Sequence, residues 1–180
     1  MSSHRSRTLL IPFALALVSA CSGLSDPVLS KIAGKETYRI SSESMAPTLV
    51  PGELVTATRV DGTYAPRAGD VVVLLPPASW GLSGGSIIKR VIGVPGSTVG
   101  CCDAAHRMIV DGRPLDEPYV ADERASFLEF APVAVPEGHV WVQGDHRDVS
   151  LDSRSHRDKA GGGMVPVTGV IGVVDVSTAR

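Results

Sequence analysis

The stretch Ser86–Gly96 reads "SIIKRVIGVPG". β-Branched residues dominate it and Pro95-Gly96 closes it, which is the pattern of a strand stopped by a turn. Side chains on a strand alternate, so Ile87, Lys89 and Val91 share one face and Ile88, Arg90 and Ile92 the other. A lysine in that company has two explanations. On an edge strand its stem covers apolar surface while the ammonium reaches water or a carboxylate. Buried, it loses water, sheds its proton and becomes a base. The neighbouring strands and a reaction partner decide between them.

Working outward, the same β pattern recurs. "TYRI" (Thr37–Ile40) reads as a strand leading into "SSESMAPTL". "ELVTATRV" (Glu53–Val60) follows a Pro51-Gly52 turn, and Val71–Leu75 is a continuous apolar run between Gly-Asp and Pro-Pro. "RMIVDGRPL" reads as a strand, a turn at Asp111-Gly112 and a return. "GHVWVQGD" and "GVIGVVDV" complete the set, while Pro114 to Pro136 has weak periodicity and reads as a surface excursion. The expected fold is one mostly-β domain over residues 37–180, with curled antiparallel sheets around a core.

Composition agrees. Nineteen glycines and 13 prolines among Val-rich runs favour short strands and many turns, and 180 residues suffice for one real core. The 17 Lys+Arg against 19 Asp+Glu give a formal net charge of -2, so nucleic-acid binding, which needs a basic patch or stripe, is not expected.

The N-terminus differs in kind. "MSSHRSR" is basic, and Leu9–Ala20 is almost wholly apolar. As a helix those residues span about 18 Å, short of the roughly 30 Å hydrocarbon core, and Asp26-Pro27 ends any extension. Residues 1–24 therefore read as a signal or anchor segment, with 25–36 a linker. "VSAC" (Val18–Cys21) resembles a bacterial lipobox, in which Cys21 is lipidated; a short uncleaved anchor uses the same apolar run. Either reading places the remaining chain outside the cytoplasm, at a membrane. The other cysteines, adjacent in "GCCD", have Cα atoms closer than disulfides usually allow, which leaves the state of Cys101-Cys102 open. No CxxC or zinc-like spacing occurs.

A partner for Lys89 lies in "SSESMAPTLVPGELV". Pro47 biases Ala46 toward extended backbone, which can hold Ser44 at a fixed angle, and Ser42 falls on the same side as Ser44. Turn chemistry is the plainer role for serines ahead of a proline. A serine becomes a nucleophile once a base takes its proton, and Ser-Lys pairs are one way to do so. Bringing a lysine from about 10.4 to near neutrality costs roughly 4 kcal/mol, which burial in an apolar strand can impose. Lys31, Lys35 and Lys159 lie in polar or Gly-rich segments.

The third element is "GDHRDVSLDSRSH", Gly144–His156. Its acidic spacing is not that of an EF-hand loop. A Ser-His-Asp triad through His139, His146 or His156 is compatible with the sequence, as are Asp–Arg pairs that simply pin the loop.

In order along the chain, "SESMAPTL", "IIKRVIGVPG" and "GDHRDVSLDSR", with "GDVVVLL" between the first two, resemble the bacterial type I signal peptidases, Ser-Lys proteases that remove signal peptides from exported proteins. The resemblance covers roughly Ile40 to Val174. It implies Ser44 as nucleophile, Lys89 as general base and Ser42 as an oxyanion donor beside the Ser44 amide. It further implies that Ser150 orients the lysine, with Asp152 and Arg154 a supporting pair. Its implied partners are preprotein signal peptides and membrane lipid, with no metal and no organic cofactor. His146 and Val149 stand where that family has asparagine, and Ser97 where it has aspartate. Two other readings compete: a maturase for a narrow set of secreted substrates, and a catalytically silent peptide-binding lipoprotein. A self-cleaving repressor needs a DNA-binding domain ahead of Ser44, where an export signal stands instead.

Overall fold

A computed structural model describes residues 34–180. The proposed signal segment, Cys21 and most of the linker lie outside the described residues.

Among the described residues, eleven antiparallel strands form two sheets. They are β1 (Lys35–Arg39), β2 (Leu54–Arg59), β3 (Val71–Leu74), β4 (Ile87–Gly93), β5 (Thr98–Cys101), β6 (Met108–Val110), β7 (Arg113–Pro114), β8 (Phe130–Ala134), β9 (His139–Gln143), β10 (Val165–Pro166) and β11 (Val170–Asp175). The larger sheet has the order β1-β2-β11-β3-β4-β9-β10, and the smaller β7-β6-β5-β8. The lysine strand is interior: β3 flanks it on one side, with Val72 opposite Lys89, and β9 on the other. The edge-strand explanation for Lys89 thereby fails.

β4 is buried on both faces, and the expected alternation holds for its aliphatic residues. Ile87 and Val91 join one apolar cluster with Val72, Leu74, Val140 and Val142. Ile88 packs into another with Ile40, Met45, Val71 and Val73. Ile92 enters a third with Val99, Met108, Phe130 and Trp141, which joins the two sheets; the Phe130 and Trp141 rings stack at 5.3 Å. Gly93 sits at this junction because a Cβ there overlaps Val99 and Val135.

The Asp111-Gly112 turn forms as expected, with positive φ at both residues, as a type I′ hairpin requires. Ser97, the departure after Pro95-Gly96, is buried and its hydroxyl donates to the Val94 carbonyl at 2.7 Å. Two expectations need correction. Val71–Leu75 ends at Leu74, and Leu75 is exposed. The segment 114–136 is not merely a surface excursion: it contributes β8, with Phe130 buried and Pro132 tolerated because β8 is an edge strand. It also carries the buried Ala125 and Ser126. Cys101 and Cys102 form a disulfide at the end of β5.

Candidate active site

Between β1 and β2 the chain makes a single 3-10 turn, Glu43–Met45. Met45 and Leu49 are driven into the apolar cluster beneath β1 and β2, and this seats the turn. Ala46 takes the extended backbone expected before Pro47. Ser44 is thereby held facing β4 with only 8 % of its surface exposed. Lys89 Nζ lies 2.7 Å from Ser44 Oγ, across 45 positions of sequence, and Ser42 Oγ lies 3.1 Å from the same oxygen. The three candidates thus converge on one atom.

Lys89 is 4 % exposed. Its pKa falls from 10.5 to about 8, chiefly because burial disfavours the ammonium; Asp152 opposes the shift, Arg154 adds to it, and Asp145 opposes it. Beside the pair opens a cleft of about 180 Å³, walled by Tyr38–Ser42 on one side and Ser86–Lys89 on the other. Ser44 and Met45 also line it.

The loop Gly144–Arg154 closes the other side. The His146 amide donates to the Ser44 carbonyl at 3.1 Å. Asp152 is fully buried and accepts from the Gly144 amide at 3.1 Å and from Arg154 through Nε at 3.0 Å and Nη2 at 2.7 Å. The two residues the resemblance names are thus bonded to each other, and Asp152 also caps the 3-10 turn Ser153–His156. Ser150 is buried beside Gly144, where an added Cβ overlaps both Ser150 Oγ and the Ser44 carbonyl, but Ser150 Oγ has no hydrogen-bond partner. The lysine-orienting bond implied for Ser150 is therefore not a contact of this structure.

The histidines do not form a triad. His156 stacks on Trp80 at 4.3 Å with Nδ1 2.7 Å from the Asp152 carbonyl, and His139 Nδ1 lies 3.0 Å from the Glu137 carbonyl. His146 Nε2 lies 4.0 Å from Asp122, and its ring makes no bond to Ser44.

Two ion pairs at the site are not readable from the motifs. Arg90 grips Asp145 through Nε at 2.8 Å and Nη2 at 2.6 Å, and Arg147 pairs with Glu117 through its two terminal nitrogens, Nη1 and Nη2. The one sequence signal was a surplus of charged residues in a short loop. Their partners lie 55 and 30 positions away, which spacing does not reveal.

A buried lysine 2.7 Å from a buried serine that lines a cleft is an arrangement in which a base and a nucleophile can act together. Comparison with known proteins agrees: residues 9–178 match the family described as "Signal peptidase, peptidase S26", and the chain belongs to that family. It is 35% identical over 184 residues to a signal peptidase I of Mycobacterium tuberculosis H37Rv, covering 75% of this chain and 62% of the relative. With a probable signal peptidase I of Mycobacterium leprae the identity is 33% over 226 residues, covering 96% and 77%. A crystal structure of a signal peptidase I from Enterococcus faecalis V583 aligns with a TM-score of 0.48 and 27% identity, covering 62% of this chain and 98% of that one. The chain thus spans about 62% of the length of the M. tuberculosis relative.

Proposed function

We propose that this protein is a serine endopeptidase of the signal-peptidase type, which removes N-terminal signal peptides from exported preproteins at the extracytoplasmic membrane surface. The observation that carries the reading is the 2.7 Å approach of a buried, acidified Lys89 amine to Ser44 Oγ. Membership of the signal peptidase family supports the choice of substrate.

In the proposed mechanism an extended preprotein segment lies in the cleft between Tyr38–Ser42 and Ser86–Lys89, its backbone pairing with the walls and its small side chains facing shallow pockets. Cleavage follows a small-x-small pattern, as signal peptides require. Neutral Lys89 takes the Ser44 proton as Oγ attacks the carbonyl. Ser42 Oγ and the Ser44 amide stabilise the oxyanion, an effect typically of about 3 kcal/mol per donor. Lys89 protonates the leaving amine, then activates the water that releases the acyl group. Asp152 and Arg154 hold the loop that backs Ser44, and Ser150 fills the space between Gly144 and the Ser44 carbonyl. No step calls on a metal or organic cofactor.

Residues 1–24 are proposed to attach the enzyme to lipid, through a short apolar anchor or through lipid on Cys21. Among the described residues no helix is long and apolar enough to cross a membrane; the proposal rests on the apolar run Leu9–Ala20 and the lipobox-like Val18–Cys21.

The test is cleavage of an exported preprotein by purified protein in detergent, with the cut mapped by mass spectrometry. A cut after a small-x-small site, lost in Ser44→Ala and in Lys89→Ala, is expected. A cut that survives either substitution overturns the dyad.

A further inference from the structure

Beyond the dyad, the buried polar groups around the loop 144–147 form one connected circuit. It begins at Arg90, next to Lys89 on β4, which grips Asp145. The Arg90 guanidinium carbon lies over the Tyr119 ring, 3.9 Å from its centre. Tyr119 Oη donates to Glu117 Oε1 at 2.9 Å, and Glu117 takes both terminal nitrogens of Arg147. Arg147 Nε donates back to the Gly144 carbonyl at 3.0 Å, and the His146 amide reaches the Ser44 carbonyl. The circuit therefore starts beside the lysine and ends on the backbone of the serine. Arg147 and Asp145 side chains are fully buried and Glu117 nearly so.

Glu117 and Tyr119 belong to neither sheet and to none of the motifs that frame the dyad. We propose that they are positioning residues for the reaction: through Arg147 and Arg90 they hold the loop 144–147 against Ser44 and so fix the register and the dryness of the Lys89–Ser44 contact. Physically, the loop carries Asp145 and Arg147, and their charged partners Arg90 and Glu117 both lie outside it. Tyr119 couples the two arginines, so that the loop cannot move from Ser44 without breaking two buried charge pairs. The inference rests on the Ser44–Lys89 reading of function.

The test uses the full chain in detergent and two readouts: kcat and KM on a preprotein, and the titration of each lysine followed by pH-dependent acylation with peptide mapping. Only four lysines are present, so Lys89 is resolved by mass. For Tyr119→Ala and Glu117→Gln, kcat at pH 8 is expected to fall at least tenfold with KM within twofold. Lys89 is expected to titrate higher than its value of about 8, as water enters. Tyr119→Phe, which keeps the ring on Arg90, is expected to lose less than Tyr119→Ala. If Tyr119→Ala does not fold, Glu117→Gln and Tyr119→Phe carry the test. A Lys89 titration that stays in place in the folded variants, whatever happens to kcat, overturns the positioning role and leaves the dyad standing. Cleavage that survives Lys89→Ala instead removes the dyad, and this inference with it.

Discussion

An ammonium at Lys89 has lost nearly all its water and gained no carboxylate in direct contact; its near neighbour is the hydroxyl of Ser44. That environment suits a base, and it has two measurable consequences. First, the proposed mechanism requires neutral lysine, so kcat/KM is expected to rise about tenfold per pH unit at low pH and to level off above about 8. A pH–rate profile checks this; a limb near the ordinary lysine value contradicts it. Second, the folded pKa lies below the unfolded one, so between about 8 and 10.5 the unfolded chain binds more protons and stability rises with pH. Below that window the full penalty applies, roughly 3 kcal/mol from the size of the shift. Lys89→Met is therefore expected to unfold at higher denaturant than the native protein at pH 7, with the difference narrowing by pH 10.5.

At the scale of elements, the site depends on how close the loop after β9 comes to the turn before β2. Gly144 permits that approach, since a Cβ there overlaps Ser150 and the backbone carbonyl of Ser44 itself. Gly144→Ala is expected to destabilise by about 1–3 kcal/mol, the usual range for overpacking. It is expected to lower kcat at least a hundredfold, a loss out of proportion to stability. Thermal unfolding and kinetics on the same preparation check both. β4 contributes differently: it is long, interior and buried on both faces, so Lys89 and Arg90 sit on a rigid element rather than on a loop. The strand and the apolar company of Lys89 were legible from "SIIKRVIGVPG", because alternation and β-branching act locally. β8 was not, because Pro132 and a short alternating run look like loop until β5 supplies the partner.

For the whole molecule, the two sheets share one apolar cluster around Trp141, and the described chain carries its own core from β1 onward. A protein lacking residues 1–24 is expected to fold, to cleave a soluble signal-sequence peptide with kcat within about threefold of the full chain, and to lose sedimentation with lipid vesicles. Vesicle binding that persists at full strength contradicts the assignment of membrane attachment to that segment.

The sequence by itself determined the β class, most strand positions, and the identity of Ser44, Ser42 and Lys89 as candidates; the Asp152–Arg154 pair came from the family resemblance. These are matters of local pattern, or of motifs whose members lie a few residues apart. Only the tertiary structure decided that β4 is interior, which removes the snorkelling explanation for Lys89, and that the lysine amine meets Ser44 across 45 positions. It also decided which arginine each buried carboxylate takes, set the histidines aside, and left Ser150 without the lysine bond its motif implies. The physical reason is common to all of these. Burial, and the pairing of charges that burial demands, is a property of where distant segments pack, and no local pattern carries it.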